Sequence, residues 1–255
     1  MAMPIAHRPH TPGANPMTLC IDIGGSHVKA SVIDQCGKMI GGKGEVKTPH
    51  PASPAHIFDS IAKLTQSLPS YERISVGFPG VVRNGRVLTA PNLGTEMWRG
   101  IDLAFDLSMR LEHPTRVLND AEVQGLGVIE GNGLECVLTL GTGIGSAIFR
   151  NGRLMPHLEL GQHPIRKRDT YDRYLGHAAY ASKGKKKWNR RLKKALRIVA
   201  TLLNYDVLYL GGGNAARVTL NLPANVRLVS NENGMTGGIR LWDRHLDEIF
   251  LGREH

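Results

Sequence analysis

The stretch Thr18-Leu19-Cys20-Ile21-Asp22-Ile23-Gly24-Gly25-Ser26-His27-Val28-Lys29 decides how the rest of the chain is read. A β-type run ends near a carboxylate, turns through glycines and resumes as a second run to Ile33, the pattern of a hairpin. The pattern returns at Cys136 to Leu140, turns through Gly141-Thr142-Gly143-Ile144-Gly145 and resumes from Ser146 to Arg150. Glycine accepts the positive φ of such turns and lets a backbone N–H approach an anion with no β-carbon in the way.

Outward from the first hairpin, Met39 to Lys47 reads as a third strand. Ile57, Ile61, Leu64 and Leu68 predict a helix over about residues 55–68. Ile74 to Phe78 is a strand ending at Pro79-Gly80, and Ile101 to Leu111 a helix. The order then restarts. Thr115 to Leu118 is a strand, Ala121 to Ile129 a helix, and the second hairpin follows. A long helix is predicted from Trp188 to Asn204, a strand from Val207 to Leu210, and Gly211-Gly212-Gly213-Asn214 is expected to open a further helix. Val226 to Val229 is a strand, and a last helix spans about Gly237 to Ile249. Two related α/β lobes follow from this order: a leader over 1–16 expected to be flexible, an N-terminal lobe over 17–117 and a C-terminal lobe over 118–255. The last helix is free to pack back on the first lobe.

Composition narrows the function classes. The chain has 255 residues, 41% hydrophobic and 21% charged, as in folded globular proteins. No apolar run approaches the roughly 18 residues of a membrane span, and the N-terminal segment has no apolar core of a secretory signal. The 3 cysteines, Cys20, Cys36 and Cys136, form neither a disulfide framework nor a CxxC pair. A cytoplasmic location is therefore expected, with no membrane partner.

Three glycine turns, Gly24-Gly25-Ser26, Thr142-Gly143 and Gly212-Gly213, are candidate phosphate cradles. None matches a P-loop or a dinucleotide-binding fingerprint. Asp22 sits where a strand-end carboxylate would hold hydrated Mg²⁺ beside a phosphate. The Thr142 hydroxyl is suited to a phosphoryl oxygen. Asp120 reads in two ways, as a general base or as an ordinary Asn-Asp helix cap.

Four segments together resemble the sugar kinases of the ROK family (repressors, open reading frames and kinases). Asp22 to Lys29 is similar to the first phosphate motif, Leu140 to Ala147 with Gly152 and Glu159-Leu160-Gly161 to the family signature, Leu118-Asn119-Asp120-Ala121 to the catalytic segment, and Leu210 to Gly213 to the adenosine segment. They occur in family order over about residues 17–240. The short chain, and Lys29 after Ser26, look most like the polyphosphate glucokinase branch.

The resemblance implies a two-lobed actin-like ATPase (ribonuclease H-like) fold with the active site in the interlobe cleft. It implies phosphoryl transfer from ATP or polyphosphate, with Mg²⁺, to a hydroxyl of glucose or a related hexose. Asp120 would be the catalytic base. Gly80, Asn92, Asn119, Asp120 and Glu159 would line the sugar pocket, and Gly24, Gly25, Ser26, Lys29, Thr142, Gly143, Gly212 and Gly213 would bind phosphate or nucleotide. A homodimer is expected because the family is often dimeric.

The chain departs from the family where Glu-x-Gly-His becomes Glu159-Leu160-Gly161-Gln162, with His163 one place late. Gln162 can hydrogen-bond a sugar hydroxyl, and His163 could substitute after a backbone shift. No cysteine follows Cys136, and His157, His163 and His177 make no ligand set, so zinc is not expected. The departure favours the alternative, a catalytically weak ROK-type sugar sensor or regulator; Asp22, Asp120 and Thr142 argue for the kinase.

Charge is uneven. The formal net charge is +10, yet residues 166–197 alone hold 13 Lys or Arg against Asp169 and Asp172. A solvated helix face normally interleaves Glu for i,i+4 pairing; here no acid occurs between Asp172 and Asp206. Lys185, Lys186, Arg190 and Arg191 are candidate members of a polyanion track, with a plain solvated face as the alternative. If the face is not simply solvated, three partners fit, inorganic polyphosphate, nucleic acid or an acidic protein surface; polyphosphate agrees with the resemblance to the polyphosphate glucokinase branch, and the chain shows no nucleic-acid reading motif.

Overall fold

A computed structural model describes residues 15–230 and 232–250, with 232–235 as backbone only. The expected leader therefore lies almost wholly outside the described residues. The first lobe is built from β1 (Thr18–Ile23), β2 (His27–Ile33), β3 (Met39–Lys47), α1 (Pro54–Thr65), β4 (Arg73–Phe78), α2 (Leu103–Leu111) and β5 (Thr115–Asn119). The second has α3 (Asp120–Leu126), β6 (Leu134–Leu140), β7 (Ile144–Arg150), β8 (Arg153–Leu154), α4 (Tyr171–Leu175), α5 (His177–Leu203), β9 (Val207–Gly211), β10 (Val226–Leu228) and α6 (Glu232–Arg240).

Each lobe holds a five-stranded sheet, ordered β3-β2-β1-β4-β5 in the first and β8-β7-β6-β9-β10 in the second. In both, an antiparallel three-strand meander is extended by two parallel strands. The duplication is barely visible in residue identities and plain in the strand order. This is the two-lobed actin-like ATPase fold.

Period-two alternation aims the site residues. Leu19, Ile21 and Ile23 of β1, with Ile74, Val76 and Phe78 of β4, enter the first core with Ile57 and Ile61 of α1. Their alternates, Cys20, Asp22, Ser75 and Gly77, consequently face the cleft. In the second sheet Cys136, Leu138 and Leu140 pack under Trp188, Leu192 and Val199 of α5. Val137 turns the other way, onto Val123 and Leu126 of α3. Full burial of each such side chain contributes about 1.5–3 kcal/mol.

Some boundaries differ from expectation. The long helix begins at His177 rather than Trp188, with a non-helical Gly184 (φ 73°, ψ 161°) inside it. The apolar spacing marks only the part pressed on the sheet. No α-helix follows the glycine run at Gly211; a 3₁₀ turn, Ala215–Arg217, takes its place. The last helix is split into α6, a 3₁₀ turn over Arg244–Leu246 and a short helix over Asp247–Phe250. In this tail Trp242 Nε1 donates to Ser75 Oγ (2.9 Å), which donates to Gly238 O (2.6 Å), while Arg116 donates to Leu241 O (2.7 Å). The segment Gly238 to Trp242 is thereby tied to β4 and β5.

Candidate active site

A cavity of about 870 Å³ lies between the lobes. Its walls include Asp22, Gly24, Gly25, Ser26 and Lys29 from the first hairpin, and Thr142 and Gly143 from the second. Gly212 and Gly213 close the donor end, and Gly80, Asn92, Asn119, Asp120 and Glu159 line the remainder. A β-carbon built on Gly25 would lie 3.3 Å from Asn92 Cβ and 3.8 Å from Thr142 Cγ2, so the two hairpin turns approach each other closely.

Hydrogen-bond accounting explains why these turns suit anions. In the first, Thr48 Oγ1 and Thr48 N donate to Gly24 O (2.6 Å) and Ser26 O (2.9 Å). In the second, His177 N donates to Gly141 O (3.0 Å) and Asn214 Nδ2 to the same oxygen (3.0 Å), while Gly143 O accepts from Gly141 N. In the third, Gly212 O accepts from Ala215 N. The carbonyls of Gly24, Ser26, Gly141, Gly143 and Gly212 are thus taken up internally. The N–H groups of Gly25, Ser26, Thr142, Gly143 and Gly213 have no partner among the described residues. Backbone N–H groups left this way are anion donors. Gly212 has φ +84°, and a β-carbon there would stand 2.5 Å from Leu140 N. The third cradle works without the helix dipole expected from the sequence, since only a 3₁₀ turn follows it.

Of the two readings of Asp120, the cap is supplied by its neighbour. Asn119 Oδ1 accepts from Ala121 N (2.9 Å), and Glu122 Oε2 accepts from Asn119 N (3.1 Å), completing a capping box. Asn119 Nδ2 also donates to Gly80 O (3.1 Å), which anchors the loop after β4. Asp120, the first helical residue, is left lining the cavity. Burial in the cleft pushes its carboxyl up to about 7; the charges of Asp22, Glu159 and Glu122 add to this, and the Ala121 N–H bond opposes it. A carboxyl poised near neutrality is suited to proton abstraction. Asp22 is open to the cavity yet deep within the cleft; burial raises its carboxyl, and Lys29 and Lys43 pull it back down.

Gln162 and His163, expected near the sugar, are not among the residues that line this cavity. Gln162 Nε2 instead donates to Asp172 Oδ2 (2.7 Å), and Asp172 Oδ1 accepts from Ile144 N (2.6 Å). The glutamine thus supports the second hairpin turn through Asp172. His163 lies near Tyr171, with ring centroids 6.4 Å apart. Sequence reasoning missed Lys43, Asp172, His177 and Arg217, all in the cavity wall. Asp172 carried a usable signal, being one of only two acids in the basic stretch. Lys43 and Arg217 are brought in by tertiary structure alone.

The basic stretch forms part of α5, whose first residues, His177 and Ala178, line the cavity. Lys185, Lys186 and Arg190 are exposed and have no ion-pair partner among the described residues. Arg191 differs. It donates to Tyr174 O (3.0 Å) and lies over the Tyr174 ring at 4.5 Å, so its guanidinium also holds α4.

A metal fully caged by protein is not built here: among the described residues, no group of three or more His, Cys, Asp or Glu could hold one ion. A Mg²⁺ held by one carboxylate, water and substrate phosphate needs no such cage, and Asp22 with the adjacent Asp120 leaves negative charge for it to offset.

The ROK family profile matches residues 18–161. A polyphosphate glucokinase of Mycobacterium leprae is 34% identical over 216 residues, covering 80% of this chain and 65% of that protein. Its Mycobacterium tuberculosis (strain H37Rv) counterpart is 33% identical over 221 residues, covering 81% and 82%. The inorganic polyphosphate/ATP-glucomannokinase of Arthrobacter sp. strain KM superposes with a TM-score of 0.80 at 29% identity, over 88% of this chain and 97% of that one. With more than half its length matched by the profile and a third of the aligned residues shared with such relatives, the chain belongs to the ROK family, as a carbohydrate kinase.

Proposed function

We propose that the protein transfers a phosphoryl group from ATP or polyphosphate to a hydroxyl of glucose or a related hexose. The observation that carries this is the convergence of three glycine turns, Asp22 and Asp120 on one cavity. Phosphoryl transfer asks mainly for positioning and charge neutralisation. The sugar lies against Asn92, Asn119 and Glu159, whose planar amides and carboxylate suit vicinal hydroxyls. Asp120 accepts the proton of the attacking hydroxyl. The free N–H groups of the turns, with Lys29 and Thr142, hold the donor phosphates. Asp22 would hold Mg²⁺, which when bound neutralises donor phosphate charge. Closure of the lobes on sugar excludes water, so that transfer to the sugar outcompetes hydrolysis.

The similarity to polyphosphate-using relatives and the unpaired cations of α5 support polyphosphate as one donor. A long polyanion gains affinity from a row of Lys and Arg by releasing counterions. The free cysteines fit a cytoplasmic setting, and a homodimer is part of the proposal. A coupled assay over a hexose panel, run with ATP and separately with polyphosphate, tests it. Turnover of glucose or a near relative with at least one donor is expected, lost on chelation and restored by Mg²⁺. Sugar binding without turnover under any condition would replace the kinase by the sensor reading.

A further inference from the structure

Behind the sugar wall, Glu159 meets two side chains, His157 and Glu122, that the proposed chemistry does not use. His157 stands between two carboxylates. Its Nδ1 is 2.8 Å from Glu122 Oε1, and its Nε2 is 3.6 Å from Glu159 Oε2. His157 and Glu122 are nearly sealed, with side-chain exposure of 13% and 5%, while Glu159 is 28% exposed. Glu122 is fully engaged, since its other oxygen accepts from Asn119 N. His157 Nε2 and Glu159 Oε2 are both buried and lack a hydrogen-bond partner; at 3.6 Å they make a charge contact that a small shift would turn into a hydrogen bond.

We propose that His157 is a positioning residue for the sugar-facing carboxylate, its ring bridging Glu122 on the catalytic helix to Glu159 in the cavity wall. The proposal rests on the sugar-kinase reading of the cavity. Glu159 follows a short irregular segment, not a strand or helix that would aim it. Its orientation therefore needs an external reference, and α3, which carries Asp120, is that reference. Charge supports the geometry. Burial works against a charged ring, but Glu122 and Glu159 outweigh it and push His157 up to about 9. The imidazolium is the cation between these two carboxylates; Asp120 is electrostatically coupled to both Glu122 and Glu159, and Arg83 lines the neighbouring smaller cavity that His157 also lines. Removing it leaves two carboxylates close together, and Glu159 would swing away from Glu122.

The two ring nitrogens can be replaced separately. His157→Asn keeps an N–H donor near the Nδ1 position for Glu122; His157→Gln extends one near Nε2 for Glu159. Sugar affinity is read directly by calorimetry without donor, and by KM where turnover is measured. His157→Asn should weaken sugar binding about tenfold, the size of one weakened hydrogen bond to a charged group, with donor KM unchanged. His157→Gln should restore sugar affinity to within about threefold of the parent. Unchanged sugar affinity in His157→Asn, or equal losses toward sugar and donor, would overturn the proposal. If neither variant folds, the His157 ring resonances of the parent decide: glucose should shift them, and no glucose-dependent shift overturns the proposal. Because calorimetry needs no turnover, a parent protein that binds sugar but transfers nothing would sink the kinase reading and leave the His157 result legible.

Discussion

The two lobes have the same strand order and use it differently. In the first, the turn after β1 follows Asp22, with Lys29 on β2 and Lys43 on β3 near that carboxylate. In the second, the turn after β6 offers Thr142 and free N–H groups, and its acid, Asp172, is spent on the turn itself through Ile144 N. One half of the duplication thus handles charge and the other handles shape. Asp120 sits at their junction, the first residue of the helix that follows the first sheet. It faces Asp22 from one side and the second hairpin from the other: a β-carbon on Gly145 would come within 3.5 Å of Asp120 Oδ1.

The largest expected effect falls at that junction. Asp120→Asn preserves shape and removes the base, so turnover should drop by about 10²–10⁴-fold with sugar affinity nearly unchanged. A steady-state assay paired with calorimetry separates the two. In the parent, kcat/KM should fall as pH drops below about 7, where Asp120 takes up its proton. Turnover unchanged in the variant would remove the junction from the chemistry.

Charge asymmetry between the lobes gives the next effect. Replacing Lys185, Lys186 and Arg190 together by Glu should raise the KM for polyphosphate at least about tenfold, and make its salt dependence shallower. The KM for ATP should move little. Arg191 is left in place because its contacts with Tyr174 hold α4. Equal losses with both donors would mean that the helix face has no special relation to a long polyanion.

The glycine turns should also respond unequally. Gly212→Ala meets a positive φ and the Leu140 backbone, and should cost more than about 1 kcal/mol of stability. Gly25→Ala meets Asn92 Cβ at 3.3 Å and no positive φ. It should fold normally and raise the donor KM. Thermal melts beside donor titrations test the contrast.

Local chemistry carried most of what the sequence revealed. Both pairs of β-type runs about a glycine turn are hairpins here, and alternation along β1 puts Asp22 opposite Ile21 and Ile23. What was hidden depended on partners far along the chain. The cap that frees Asp120 is the exception, a local signal, because Asn119 and Glu122 stand three residues apart at capping-box spacing. Nothing near Gln162 indicates that its amide donates to Asp172, ten residues on. Trp188, Leu192 and Val199 signal α5 because they are buried, whereas His177 to Lys187 continue it without an apolar stripe. At Gly211 the glycine run ends a strand correctly, but Asn214 N donates to Leu140 O (2.8 Å), and that bond holds a turn in place of a helix start.

The smallest predicted effect separates catalysis from stability at the same junction. Burial raises Asp120 from an ordinary value of 3.8 to about 7, so the folded state favours the protonated carboxyl. The unfolded chain ionises first. Stability contributed by the neutral form is complete below about pH 4, drains away as pH rises toward 7, and then levels off. Asp120→Asn has no proton to lose. In metal-free buffer its melting temperature should match the parent near pH 4 and exceed it by a growing margin up to about pH 7, with a constant gap beyond. The same substitution that removes turnover should therefore make the protein more stable at neutral pH, as expected where an active site holds a charge its surroundings disfavour. A melting difference that is flat across this range would mean Asp120 ionises as it does in water, and its fitness as a base would then have to come from position alone.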